Sequence, residues 1–167
     1  MSSNPDPGVE ANTWPNDLQP GEPVLVSACL LGERTRYDGA HKRDADLLIW
    51  LQKKQVKVIP VCPEVLGGLT VPRPAAELKS GDGKSALMDN ATVRIIETGD
   101  DVSVAFLTGA RIVVQKAMEC GVRYAFLQER SPSCGVNSTY IDGKLTQGLG
   151  VTSAALELSG IRLVSVQ

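Results

Sequence analysis

Four short apolar runs alternate with helical stretches along this chain, and that alternation restricts the fold more than any other feature. Residues 24–28, 56–61, 122–127 and 161–166 are rich in Val, Ile and Leu and carry at most one charge each. Runs of this kind read as strands buried on both faces. Between them, Asp44 caps an expected helix over residues 45–54 with Leu47, Leu48, Trp50 and Leu51 as its apolar side. Residues 102–119 repeat Val102, Phe106, Ala110, Val113, Val114 and Ala117 at helical spacing. Asp100 or Asp101 is the expected cap there, and Gly121 the stop. Thr152 is read as the cap of a last helix running to Leu158, with Gly160 ending it. Strand–helix alternation of this order predicts an α/β fold: a single domain with a mostly parallel sheet and helices on both faces, Rossmann-like in layering. Residues 139–145, centred on Asp142-Gly143, add a small hairpin, and residues 92–97 read as a short edge strand. Residues 64–83 read as a long irregular stretch, a length that often accompanies function.

With 167 residues the chain suits one core. Residues 1–22 are rich in Pro, Asn, Asp and Gly and are expected to form a flexible extension, with the domain proper at 23–167. A formal net charge of −2 excludes broad electrostatic attraction to nucleic acid or anionic membrane. No apolar stretch is long enough to span a bilayer, and the N-terminus lacks a basic-then-apolar export pattern. A cytoplasmic location is the expectation, where disulfides are rare and cysteines serve metals or catalysis.

Three of the four cysteines follow an apolar run: Cys29, Cys62 and Cys134. Right-handed crossovers deliver parallel strand ends to one edge of a sheet, where ligand crevices form. Three thiols at one edge suit an iron–sulfur cluster and also zinc. Their separation in sequence excludes a compact zinc-ribbon spacing. The only histidine, His41, lies in a polar loop, where histidines are ordinarily solvated; as a fourth ligand it is the minor alternative. Cys120, before Gly121, reads as a small buried apolar residue.

The ordered motifs Val26-Ser27-Ala28-Cys29-Leu30-Leu31-Gly32, Arg36-Tyr37-Asp38-Gly39, Pro60-Val61-Cys62-Pro63-Glu64, Leu66-Gly67-Gly68, Pro72-Arg73 and Glu129-Arg130-Ser131-Pro132-Ser133-Cys134-Gly135 resemble the domain of unknown function 523 family, whose characterised members are thiouracil desulfidases. The resemblance runs from about Val24 to the C-terminus. It implies an oxygen-sensitive [4Fe-4S] cluster held by Cys29, Cys62 and Cys134, and non-redox removal of sulfur from a thiolated pyrimidine or its nucleotide. Many members carry a further cysteine where this chain has Thr35, so three thiols are expected to suffice. Glu64 is then the expected proton carrier, against the plainer reading of an acid in a helical first turn. Ser131 is the expected catalytic helper, and Ser133 a substrate contact. Arg36 and Arg73 suit phosphate oxygens, and Asp38 either a ring contact or a turn. A non-catalytic metal or cluster sensor is the alternative function. A thiolated-tRNA substrate is disfavoured by the near-neutral charge, and no stable nucleic-acid partner is expected.

Overall fold

The computed structural model describes residues 14–167. Strands β1 (Pro23–Ser27), β2 (Lys57–Val61), β5 (Tyr124–Gln128) and β8 (Arg162–Val166) form a parallel sheet in the order β2-β1-β5-β8. Their side chains are apolar on both faces because both faces are covered. Helix α1 (Ala45–Lys54) buries Leu47 and Leu51 against Val24, Val26 and Phe126 on one face. On the other, α4 (Ser103–Cys120) and α5 (Val151–Leu158) set Val113, Ala117 and Leu156 against Leu25, Ile59 and Leu127. Asp44 caps α1 by accepting the Leu47 N–H at 2.9 Å, as its sequence position predicts.

A second sheet stands beyond α4. Strands β3 (Ala76–Lys79), β4 (Thr92–Ile95), β6 (Ser138–Ile141) and β7 (Lys144–Gln147) run in the order β4-β3-β6-β7, with β3 and β6 parallel and both outer pairs antiparallel. The expected hairpin and edge strand are both here, but β3 lies inside the stretch read as irregular. Its Ala-Glu-Leu-Lys sequence alternates apolar and charged residues, but it is only four residues long and made of helix-favouring types. Packing makes it a strand: Leu78 is fully buried beside Val93, Phe106 and Ala110. Its buried Glu77 is satisfied by Lys79 Nζ at 2.9 Å and the Gly143 N–H at 3.0 Å.

Four local expectations need correction. The N-cap of α4 is Val102 and not Asp100 or Asp101, although Asp101 accepts the Ser103 N–H at 2.8 Å. Residues 1–13 lie outside the described residues, but 14–22 pack on the domain rather than extending freely. Trp14 stacks on Trp50 with centroids 5.1 Å apart, and Leu18 is buried in the α1-side core. Asp17 accepts from the Tyr124 hydroxyl at 2.8 Å and from Arg123 Nη1 at 3.0 Å. Thr152 does not cap α5; Gly150 holds that position, and the Thr152 hydroxyl is buried without a hydrogen-bond partner among the described residues. Cys120 is exposed at the end of α4, because the helix turns that position away from the sheet.

The short helices α2 (Pro63–Leu66) and α3 (Gly83–Leu87) sit at the ends of α4 and α5. Where α2 meets α4, Gly67 and Gly109 let the backbones touch: an added Cβ on Gly109 would collide with the Pro63 carbonyl. Alanine in place of glycine inside a helix normally gains about 1 kcal/mol. Overpacking against a rigid backbone costs about 1–3 kcal/mol and wins here. Gly109→Ala is expected to lower the melting temperature; an unchanged or raised value would mean that α2 and α4 are less closely apposed.

Candidate active site

β2, β1 and β5 are adjacent, so their carboxyl ends share an edge. Cys29, Cys62 and Cys134 follow those ends, and all three line one cavity of about 660 Å³. Cys29 is buried in a single 3₁₀ turn, Ala28–Leu31, directly after β1. Cys62 stands at the N-cap of α2, half-buried, its Sγ donating to the Thr35 carbonyl at 3.7 Å. Cys134 is buried in the loop after β5, with the Ser133 hydroxyl 3.7 Å from its Sγ. All are free thiols. Burial pushes the Cys29 thiol up to about 11, and nearby Cys62 adds to the shift. Burial also raises Cys134, opposed by hydrogen bonds from Ser133 and Ser27, while Cys62 and Cys29 push the same way as burial. Each sulfur therefore lies within electrostatic reach of the others, and binding an electrophilic centre must displace their protons.

The donor set fits an iron–sulfur cluster: three soft sulfurs line one cavity, the ligand type that such centres use. His41 is not among the lining residues; its Nδ1 accepts from the Arg43 N–H at 3.1 Å in an exposed turn.

Beside the sulfurs runs a chain of hydrogen bonds. Arg73 Nε donates to Glu64 Oε1 at 3.1 Å, with the two side chains only 5% and 15% exposed. Ser133 Oγ donates to Glu64 Oε2 at 2.9 Å and lies 2.9 Å from Ser131 Oγ. Because a hydroxyl carries one proton, the Ser133–Glu64 bond leaves Ser131 as the donor to Ser133. Ser131 Oγ also accepts the N–H groups of Ser133 and Cys134 at 3.1 and 3.2 Å. Ser133 is thus the hydroxyl next to Glu64, and Ser131 stands one step behind it. Glu64 also lies in the first turn of α2, as the plainer reading of the sequence has it, and its carboxylate lines the cavity.

The loop that carries Cys134 is wound around another acid. Glu129 is buried, and its carboxylate accepts N–H bonds from Val136 at 2.8 Å, Asn137 at 3.0 Å and Ser138 at 3.0 Å, together with the Ser165 hydroxyl. Burial alone would raise the Glu129 pKa. The Ser138 amide, the Ser165 hydroxyl and the amides of Val136 and Asn137 outweigh it, and the carboxyl is held below the usual range. A folded-state value below the unfolded one contributes stability above the unfolded pKa of about 4.3, and that contribution is lost as pH falls through the folded value. Glu129→Gln is expected to cost about 1.5–3 kcal/mol at neutral pH and to flatten the acid limb of the stability curve. Denaturant melts between pH 3 and 7 measure both; an unaltered acid limb would show that Glu129 is not the group responsible.

The expected substrate contacts divide. Arg36, Arg73 and Ser133 line the cavity, whereas Asp38 does not; its Oδ1 accepts the Ala40 N–H at 3.0 Å and forms a turn. Each guanidinium nitrogen of Arg73 has a protein partner. Arg36, Lys42 and Arg130 line the cavity with no carboxylate partner among the described residues. Lys42, Glu77, Tyr140 and Gln128 are wall residues that the sequence did not single out. Lys42 sits in a loop without pattern, and Glu77 and Tyr140 belong to the second sheet. Gln128 ends β5, one residue before the motif; its Nε2 donates to the Glu129 carbonyl at 3.3 Å, and its Oε1 is buried without a partner among the described residues.

Residues 24–167 match the 2-thiouracil desulfurase family. The uncharacterized protein YbbK of Bacillus subtilis (strain 168) is 37% identical over 146 residues, covering 85% of this chain and 94% of that protein. Among solved structures, the [4Fe-4S]-dependent thiouracil desulfidase TudS (DUF523Vcz) superposes with a TM-score of 0.73 at 38% identity, over 86% of this chain and 90% of its own.

Proposed function

Because the chain belongs to the 2-thiouracil desulfurase family, we propose that it is a [4Fe-4S]-dependent desulfidase. It removes sulfur from thiouracil or a thiouridine nucleotide and releases the uracil product and hydrosulfide. One observation carries this reading: three free thiols from adjacent strand ends line a single cavity whose wall also presents a Glu64–Ser133 pair. Cys29, Cys62 and Cys134 are the ligands. Bound there, a cluster with three protein thiolates supplies a Lewis-acidic iron position with affinity for a soft thiocarbonyl sulfur.

The remaining work falls to the chain's own groups. Water adds its oxygen to the ring carbon, the carbon–sulfur bond breaks, and sulfur departs with the bonding pair; no electron is gained or lost overall. Glu64 Oε2 takes a proton from the attacking water and returns it to the departing sulfur, which leaves as hydrosulfide, the second water proton passing to solvent as the carbonyl forms. Ser133, which donates to that oxygen, and Ser131, which donates to Ser133, hold the carboxylate in place. The cavity walls orient the ring and limit access of bulk water. A nucleotide's phosphate finds cations at Arg36, Lys42 and Arg130, which line the same space. No described helix is long and apolar enough to cross a membrane. A reducing compartment such as the cytoplasm suits the three free thiols.

The test is anaerobic reconstitution followed by turnover of 4-thiouracil and its nucleotide. Equal yields of uracil product and sulfide are expected. A cluster-replete sample that converts neither compound overturns the proposal.

A further inference from the structure

We infer that Arg73 is a positioning residue, which aims Glu64 and ties the segments bearing Cys29 and Cys62 together, and is not a ligand for the substrate's phosphate. This rests on the desulfidase reading above, and it assigns a role to an arginine whose sequence position suits phosphate equally well. Each of the three guanidinium nitrogens already has a protein partner. Nε donates to Glu64 Oε1 at 3.1 Å, Nη1 to the Thr70 carbonyl at 3.1 Å, and Nη2 to the Thr35 carbonyl at 2.9 Å. The Arg73 backbone N–H reaches the Tyr37 carbonyl at 2.7 Å. The same Thr35 carbonyl accepts from Cys62 Sγ at 3.7 Å. One side chain therefore joins the loop that follows Cys29, the helical turn that starts at Cys62, and its own loop.

Burial decides which role prevails. The Arg73 side chain is 5% exposed and that of Glu64 15%, and drawing the guanidinium toward a phosphate would strip the part-buried Glu64 carboxylate and Thr35 carbonyl of their donor, a costly exchange where water is scarce. Arg36, Lys42 and Arg130 face the same cavity without such commitments. The planar fork also explains the residue type. A lysine ammonium is one point and cannot reach a carboxylate and two divergent carbonyls together.

Kinetics of the reconstituted enzyme on 4-thiouracil and on 4-thiouridine monophosphate distinguish the two roles. Arg73→Lys and Arg73→Ala are expected to lower kcat by about 10–100-fold on both substrates, leaving the ratio of their KM values unchanged. Arg36→Ala is expected to raise KM for the nucleotide alone. A rise in nucleotide KM with unchanged kcat on the free base in Arg73→Lys would overturn the assignment. A second readout does not depend on turnover. The Arg73 Nε–H is expected to give a slowly exchanging nitrogen-15 NMR signal in the wild-type protein, lost in Glu64→Ala. Free exchange in the wild type would also overturn it. Failure of the wild type on both substrates would instead remove the functional reading, and the NMR result would still decide Arg73.

Discussion

Cys62→Ser protein, reconstituted without oxygen, is expected to take up no stoichiometric iron and sulfide and to show no desulfuration above background. Serine preserves size but offers a hydroxyl that holds its proton far more tightly than a thiol, so the soft anionic ligand is gone. Cys62 is the most informative of the three positions. Cys29 and Cys134 are buried members of the two cores that flank the parallel sheet, so their replacement disturbs packing as well as ligation. Cys62 is only half-buried at the start of α2, and a serine there suits a helix N-cap. Fold and ligation are thereby separated: circular dichroism is expected to stay native while the cluster's visible absorbance vanishes. Cys120→Ser, at the exposed end of α4, is the matched control and is expected to behave as wild type. Full iron and sulfide content in Cys62→Ser would end the three-thiolate assignment.

Glu64→Gln is expected to keep its cluster and lose about 10²–10⁴-fold in kcat, the range for removal of a positioned acid–base group. The amide matches the carboxylate in shape but cannot accept water's proton. It must also place an NH₂ group toward either Arg73 or the Ser133 hydroxyl, both donors in the present geometry. Because no thiol ligand is altered, iron content and absorbance are expected to match the wild type. KM is expected to move much less than kcat, since the loss falls on the reacting step. Near-normal kcat in a fully loaded variant would assign the proton transfer elsewhere and remove Glu64 from the mechanism.

The parallel sheet was legible because its strands are buried on both faces, which writes continuous apolar runs such as Val24-Leu25-Val26 into the sequence. The cysteine edge followed from topology alone, since strands of one direction end on one side. The second sheet was only partly legible. β6 and β7 announce themselves through the Asp142-Gly143 turn, while β3 is four residues of helix-favouring types whose alternation is too short to read, and long-range packing decides its form. At the site, residue types were easier to read than roles. Arg73 and Arg36 look alike on the chain, and only burial and partners separate a clamp from a free cation. Ser131 and Ser133 differ only in which hydroxyl meets Glu64, a distinction set by how the loop closes around Glu129.

The order of the strands bears on when the metal centre can be made. Cys29 and Cys62 flank adjacent strands and leave the ribosome early. Cys134 is synthesised much later and reaches them only once β5 has docked beside β1. Pairings of such long sequence separation form late in folding. A nascent chain thus offers incoming iron an incomplete pair of sulfurs, so cofactor delivery is best timed to the finished protein.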